Sequence, residues 1–190
     1  MKREMGSKGF TLVELVVVIA VVGMLAATAA PRFISLSTDA DQAAMRAMTG
    51  ALRSTLSMTN MQIQLRPEQI NAAASRFTLD SGEQIRLRGG IPDGRWNNTF
   101  IHLTDFEATE QVNSNSCDLD DVRWCVRQRG GGWFASRGYS ADGMGRGFVI
   151  FPYGYQVNNQ RCYLYYLNPN ATTQPDDPKA GVIGSDFSEC

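Results

Sequence analysis

Histidine is almost missing from this sequence: His102 is the only one in 190 residues. Any histidine-based catalytic or metal chemistry has that single candidate. The four cysteines contain no Cys-x2-Cys pair, the usual spacing of a structural zinc site. Charge is also sparse, at 19% of residues, and balanced between 18 basic and 19 acidic side chains for a net charge of -1. No long Lys/Arg run is present, which argues against nucleic acid as a partner because phosphate binding needs clustered positive charge. With 43% hydrophobic residues and so little net charge, the chain is not intrinsically disordered. There is no internal repeat, and the length suits one domain, or one domain with an extension.

What is present is concentrated at the start. Leu15 to Ala30 holds one polar residue, Thr28, and the apolar stretch from Phe10 to Pro31 is about 22 residues long. As a helix it would span ~33 Å, close to one bilayer core. Lys2, Arg3 and Lys8 precede it against Glu4, so the positive flank should stay cytoplasmic and the remainder lie outside. A secretory signal with a small-residue cut site at Ala27-Thr28-Ala29 is one reading, and a plain membrane anchor is another. Neither accounts for Glu14, a carboxylate inside an apolar helix, where such groups are costly and functional. If the chain were cut between Gly9 and Phe10, the new α-amino group would lie one helical turn from this acid, and the two charges could neutralise each other.

The segment Gly9-Phe10-Thr11-Leu12-Val13-Glu14, followed by an apolar run and preceded by a short basic leader, resembles the type IV prepilin signature. The resemblance implies a leader (residues 1–9) removed by a prepilin peptidase between Gly9 and Phe10, with N-methylation of Phe10. Residues 10–31 would then form a transmembrane and filament-core helix, and 32–190 a periplasmic or extracellular head. It further implies Glu14 as the assembly residue and, as partners, other pilin subunits and an inner-membrane assembly platform. Ala29-Ala30-Pro31-Arg32-Phe33, Thr49-Gly50-Ala51-Leu52 and Gly90-Ile91-Pro92-Asp93-Gly94 are similar to stretches of pilins from mannose-sensitive haemagglutinin (MSHA) pili. In that comparison the subunit sits in the inner membrane before assembly and in an extracellular adhesive filament afterwards. A minor pilin, a type II secretion pseudopilin and a glycan-binding tip adhesin share the same N-terminal signature.

Beyond Pro31 the pattern becomes one-sided. Ala44, Met48, Leu52, Leu56 and Thr59 recur at helical spacing, with Met45 and Ala51 widening the stripe. One long helix from Phe10 to about Asn60 is expected. Gly23 and Pro31 weaken it, with a kink or local break at Pro31. A short helix is expected over 67–76 and a hairpin over 77–79 and 84–88. Strands are expected over 122–127, 147–155 and 161–167, and a Pro-, Asp- and Gly-rich loop over 168–184. The fold class is α+β, a long N-terminal helix packed on an antiparallel sheet with a disulfide-closed C-terminal loop.

All four cysteines lie in the half expected outside the cytoplasm. Of the three connectivities, Cys117–Cys125 with Cys162–Cys190 is preferred, because the second bond pins residue 190 to the sheet and closes the acidic terminal loop. His102 reads as a structural residue on a half-buried strand, since no nucleophile or orienting acid accompanies it. Asp118, Asp120 and Asp121 lack the ligand spacing of a calcium loop. Gly130-Gly131-Gly132 and Gly143–Gly147 read as turns, without the Lys-Ser/Thr pair of a phosphate loop. Trp96, Trp133, Tyr139 and Tyr155 could stack on a surface glycan if exposed, though packing is their commoner fate. No catalytic set emerges, so an enzyme is not expected, and no cofactor or metal is implied.

Overall fold

The computed structural model describes residues 10–190 except 141 and 174–176, and the side chains of 29–37 also fall outside the description. The leader 1–9, including Gly9, is outside it as well. One helix, α1, runs Leu12–Leu65, and the chain divides into two compact units, one ending at Ala40 and the other covering Asp41–Cys190. Gly23 and Pro31 both lie within α1, which is continuous across them, so the local break expected at Pro31 does not occur. Proline removes one backbone hydrogen bond, but a helix already nucleated propagates past it when alanines favour the helical state on either side.

In the first unit the described helix surface is bare. Every described residue from Phe10 to Thr28 is exposed, including Leu12 at 77% and Met24 at 73%. Among the described residues no helix is long and apolar enough to cross a membrane. The helical portion with described side chains, 12–28, would span only ~26 Å, short of a ~30 Å hydrocarbon core.

In the second unit the same helix is one-sided. Met45, Thr49, Leu52, Leu56, Thr59 and Ile63 are buried at alternating steps of four and three, while Ala44 and Met48 are half-buried at the edge of that stripe. The hydroxyls of Thr49 and Thr59 donate to the carbonyls of Met45 (2.7 Å) and Thr55 (2.8 Å), which lets two polar residues face the core.

Two sheets follow. The first is an antiparallel meander of β1 (Ile70–Asn71), β2 (Arg76–Thr78), β3 (Gln84–Arg88) and β4 (Ile91–Pro92). The helix expected over 67–76 is thus a correction: a 3-10 turn covers only Pro67–Gln69, and Ile70 leaves it to pair with Phe77. Pulling Ile70 towards Phe77, Ile85 and Leu87 buries apolar surface that an isolated alanine-rich turn could not. The second sheet has the order β5 (Thr109–Gln111), β6 (Trp124–Gly130), β7 (Arg146–Pro152), β8 (Tyr163–Asn168), β9 (Val182–Asp186). It is antiparallel except for β5, which runs parallel to β6. Strand β9 lies partly inside the segment expected to be a loop, and its pairing with β8 supplies the order that Pro- and Gly-rich composition hides. A second helix, α2 (Gly131–Ala135), occupies the triple-glycine segment expected to be a turn, because Phe134 must be brought down onto the sheet.

Strands β7 and β8 are buried on both faces. One face (Val126, Phe148, Ile150, Leu164, Tyr166) packs with Met45, Leu52 and Leu56 of α1 and with Trp96 and Phe100. The other (Cys125, Val149, Phe151, Tyr163, Tyr165, Leu167) is covered by Phe134, Val157 and Cys117. Phe148 is the centre of the first layer, with Phe100 at 4.8 Å and Trp96 at 5.1 Å edge-to-face, contacts each worth about 0.5–1.5 kcal/mol beyond area burial.

The turn Gly90–Gly94 binds the two sheets together. The Pro92 carbonyl accepts from the Tyr166 hydroxyl (2.7 Å) and the Asn168 amide (3.0 Å). A Cβ on Gly94 would collide with the Arg146 carbonyl, so only glycine permits this approach. Asp93, fully buried, faces the guanidiniums of Arg86 (3.3 Å), Arg88 (3.5 Å) and Arg95 (3.6 Å). Farther on, Asn170 ties the terminal loop down by accepting from the Lys179 amide (2.7 Å) and donating to the Lys179 carbonyl (2.8 Å).

Both expected disulfides are present, Cys117–Cys125 and Cys162–Cys190. They close loops of sequence separation 8 and 28, for which chain entropy gives about 2.5 and 3.5 kcal/mol of stabilisation respectively. Urea unfolding of the Cys162→Ser/Cys190→Ser protein should therefore show the larger loss, and equal losses for the two pairs would contradict a loop-length origin. The Lys179 ammonium hydrogen-bonds the Asp142 carboxylate at 2.6 Å, and together with the Met144 amide it holds that carboxyl down to about 2. The pairing should be intact above the ordinary aspartate range and lost as pH falls through about 2. Carbon-13 NMR titration should show this midpoint, with Lys179→Ala moving it upward.

Candidate assembly and processing site

The N-terminus of α1 carries a complete reciprocal cap. The Thr11 carbonyl accepts the first intrahelical bond from the Leu15 amide (3.3 Å), which makes Thr11 the N-cap. Its hydroxyl accepts from the Glu14 amide at 3.2 Å. In return, Glu14 Oε2 accepts from the Thr11 amide at 2.9 Å and from the Thr11 hydroxyl at 2.8 Å. This Thr-x-x-Glu capping box satisfies two otherwise free amides and sets a negative charge at the positive end of the helix dipole. Sequence reasoning singled out Glu14 and passed over Thr11, although Thr11-Leu12-Val13-Glu14 before an apolar run is itself the signal for such a box.

The consequence for Glu14 is chemical. Its carboxylate is oriented by the N-cap and aimed back along the chain towards residue 11, so it lies at the helix end that a cut before Phe10 would leave as a free amine. A carboxylate retains acceptor capacity after taking two hydrogen bonds. Phe10 is exposed immediately before the cap, and Gly9, on the other side of the expected cut, lies outside the described residues.

Residues 5–30 match the family described as the prokaryotic N-terminal methylation motif. The chain carries the type IV prepilin signature. It is also 45% identical over 58 residues to a protein of Thermus thermophilus named "Type IV narrow pilus major component PilA5". The aligned stretch is 30% of this chain and 50% of that protein, so the chain spans about half the length of this relative. No solved structure matches. The α+β layout, a long N-terminal helix followed by antiparallel sheet with a disulfide near the C-terminus, agrees with a type IV pilin fold.

The remaining sequence candidates are placed as follows. His102 sits on a 3-10 turn (Phe100–His102), not on a strand, with Nδ1 3.2 Å from Glu83. The turn arises because Phe100 is drawn into the core and Thr104 closes back on its carbonyl. Asp118, Asp120 and Asp121 are exposed, and among the described residues no three His, Cys, Asp or Glu side chains are grouped to hold a metal. Trp96 is only 5% exposed and belongs to the core. The Trp133 ring has the guanidiniums of Arg137 at 3.8 Å and Arg129 at 5.1 Å from its centroid. Burial and the adjacent charges of Arg127 and Arg137 pull Arg129 down to about 10. Tyr139 stacks on Tyr165 at 4.5 Å, and Tyr155 is partly buried against the sheet. Trp96 is thereby withdrawn as a sugar platform, and the other three are engaged in packing.

Loss of the cap should be visible locally. Thr11→Ala in detergent micelles should cost the helix end about 0.5–2 kcal/mol, read as faster amide exchange at Leu12–Leu15. Unchanged exchange there would mean the capping box does not form.

Proposed function

We propose that this chain is a structural subunit of a type IV pilus, of the MSHA type, which polymerises through its N-terminal helix into a surface filament for adhesion. The observation that carries this reading is the first half of α1, apolar on every described face and exposed on all of them, with a capped acid at its tip. A helix that is apolar all round is stable only inside lipid or among other helices. The prepilin signature at residues 5–30 and the pilus component named in the Thermus relative support the same assignment.

In this proposal a prepilin peptidase cuts between Gly9 and Phe10, and the Phe10 amine is N-methylated. The stretch 10–31 holds the subunit in the inner membrane, N-terminus cytoplasmic, until the assembly platform extracts it. Extraction exchanges lipid for neighbouring helices, so apolar burial is roughly conserved and packing and charge pairing set the register. Glu14, already turned towards the helix start, meets the Phe10 amine of a neighbouring subunit, and Gly23 and Pro31 supply flexibility within the filament. The MSHA assignment draws on the turn Gly90–Gly94, whose Pro92, Asp93 and Gly94 each have a structural task here. A role as a minor pilin, or as a pseudopilin of type II secretion, would leave this chain scarce in sheared filaments.

Glu14→Ala should still be inserted and processed but fail to enter filaments. Mass spectrometry of sheared pili checks both points: the native subunit should begin with N-methylated Phe10 and dominate the preparation. Normal piliation by the variant, or filaments whose subunits retain residues 1–9, would overturn the proposal.

A further inference from the structure

A cavity of about 450 Å³ opens in the second unit where the edge strand β5 ends. Beyond Gln111 the Val112 amide donates to the Val126 carbonyl and the Val112 carbonyl accepts from Arg127 Nη1 (3.3 Å), and the β5 side of 127–130 is then left without a strand. Three arginines line the cavity, Arg95, Arg127 and Arg146, and no acidic residue does. Their charge is largely uncompensated. Arg95 shares the single Asp93 with Arg86 and Arg88, and neither Arg127 nor Arg146 forms an ion pair among the described residues. Burial, followed by the positive charge of Arg146, pulls the Arg95 guanidinium below its ordinary value, as expected of cations crowded without an anion. The buried Nε atoms of Arg95 and Arg127 have no hydrogen-bond partner.

The rest of the lining is carboxamide. Gln128 donates to Asn97 (3.0 Å) and to Gln111 (3.1 Å), which ties three carboxamides together. Asn98 and Asn113 also line the cavity, and their side chains make no hydrogen bond to another described residue. Val112 is the only apolar residue of the lining. Guanidiniums pair bidentately with the oxygens of an anion such as carboxylate, and carboxamides both donate and accept, as hydroxyl-rich ligands require. An apolar ligand has almost nothing to contact here. The volume lies at the small end of ligand sites and admits about one or two sugar rings.

We propose that this cavity, at the end of β5, binds a carboxylate-bearing saccharide, with Arg95, Arg127 and Arg146 on the acid group and the carboxamides on the ring hydroxyls. The site does not depend on the filament reading, because every residue in it belongs to the folded second unit.

The test is titration of the full chain in detergent micelles, followed by ligand-observed NMR. Digalacturonate should bind saturably and its neutral counterpart, digalactose, at least about tenfold more weakly, the range expected for losing a charge-assisted hydrogen-bonded pair. N-acetylneuraminate measured in parallel separates a uronate from a sialate source. Arg146→Gln should weaken digalacturonate binding about tenfold and Asn113→Ala to a smaller extent, both with unchanged melting temperature. Neither side chain has a hydrogen-bonding role in the fold, so loss of binding would not reflect misfolding. No saturable binding of either acidic sugar, equal affinity for digalactose or inorganic sulfate, tighter binding of tetra-aspartate, or variants that bind like the parent would each overturn the proposal.

Discussion

Water cannot surround an apolar helix on all sides without a large free-energy cost, at roughly 25 cal/mol for each Å² of apolar surface left wet. The first half of α1 is in that position, and the second half is not. From Met45 onward the helix commits one stripe to the fold, and of its large apolar side chains Met58, Met61 and Leu65 stay exposed. From Phe10 to Thr28 no described residue covers it. Identical backbone geometry thus serves two different solvents, and the side chains alone decide which part belongs to the fold and which must find its surroundings elsewhere. The capping box at Thr11 and Glu14 makes the bare half tenable at its open end, since without it the helix would present unpaired amides to whatever encloses it.

Much of this was legible in the sequence, and the reasons are specific. The apolar run, the stripe of Leu52 and Leu56, and the strand pair around Phe148 and Tyr166 follow from periodicity, which local composition records directly. The cysteine pairing was preferred among three because a Cys162–Cys190 bond pins residue 190 to the sheet and closes the acidic terminal loop. What composition could not record were features created by distant partners. Strand β9 exists because β8 offers it an edge, β1 because Phe77 and Ile85 offer Ile70 a place to be buried, and α2 because Phe134 fits over Tyr165. In each case tertiary burial overrode a local preference for turn or helix.

The candidate site shows the same division. Glu14 stood out because an acid in an apolar run is rare, whereas Thr11 gains its meaning only when read together with Glu14 three residues on. Asp93 is a sharper instance. Within Gly90–Gly94 it resembles any turn aspartate, and only the fold reveals that two arginines of β3 and Arg95, just after the turn, converge on it. Such a buried charge cluster is a poor source of net stability, because desolvation offsets most of the attraction. Its effect is on geometry: with Pro92 holding Tyr166 and Asn168, it fixes how the small sheet meets the large one, and so where Arg95 and Arg146 stand.

The bond between Cys162 and Cys190 has a mechanical meaning as well. It joins the residue just before β8 to the chain just after β9, so the outermost strand is enclosed in a covalent ring. A pull on the end of an ordinary border strand strips it one hydrogen bond at a time, like a zip. Here β9 is joined to β8 by the chain at one end and by sulfur at the other, so neither end of the border strand is free to peel.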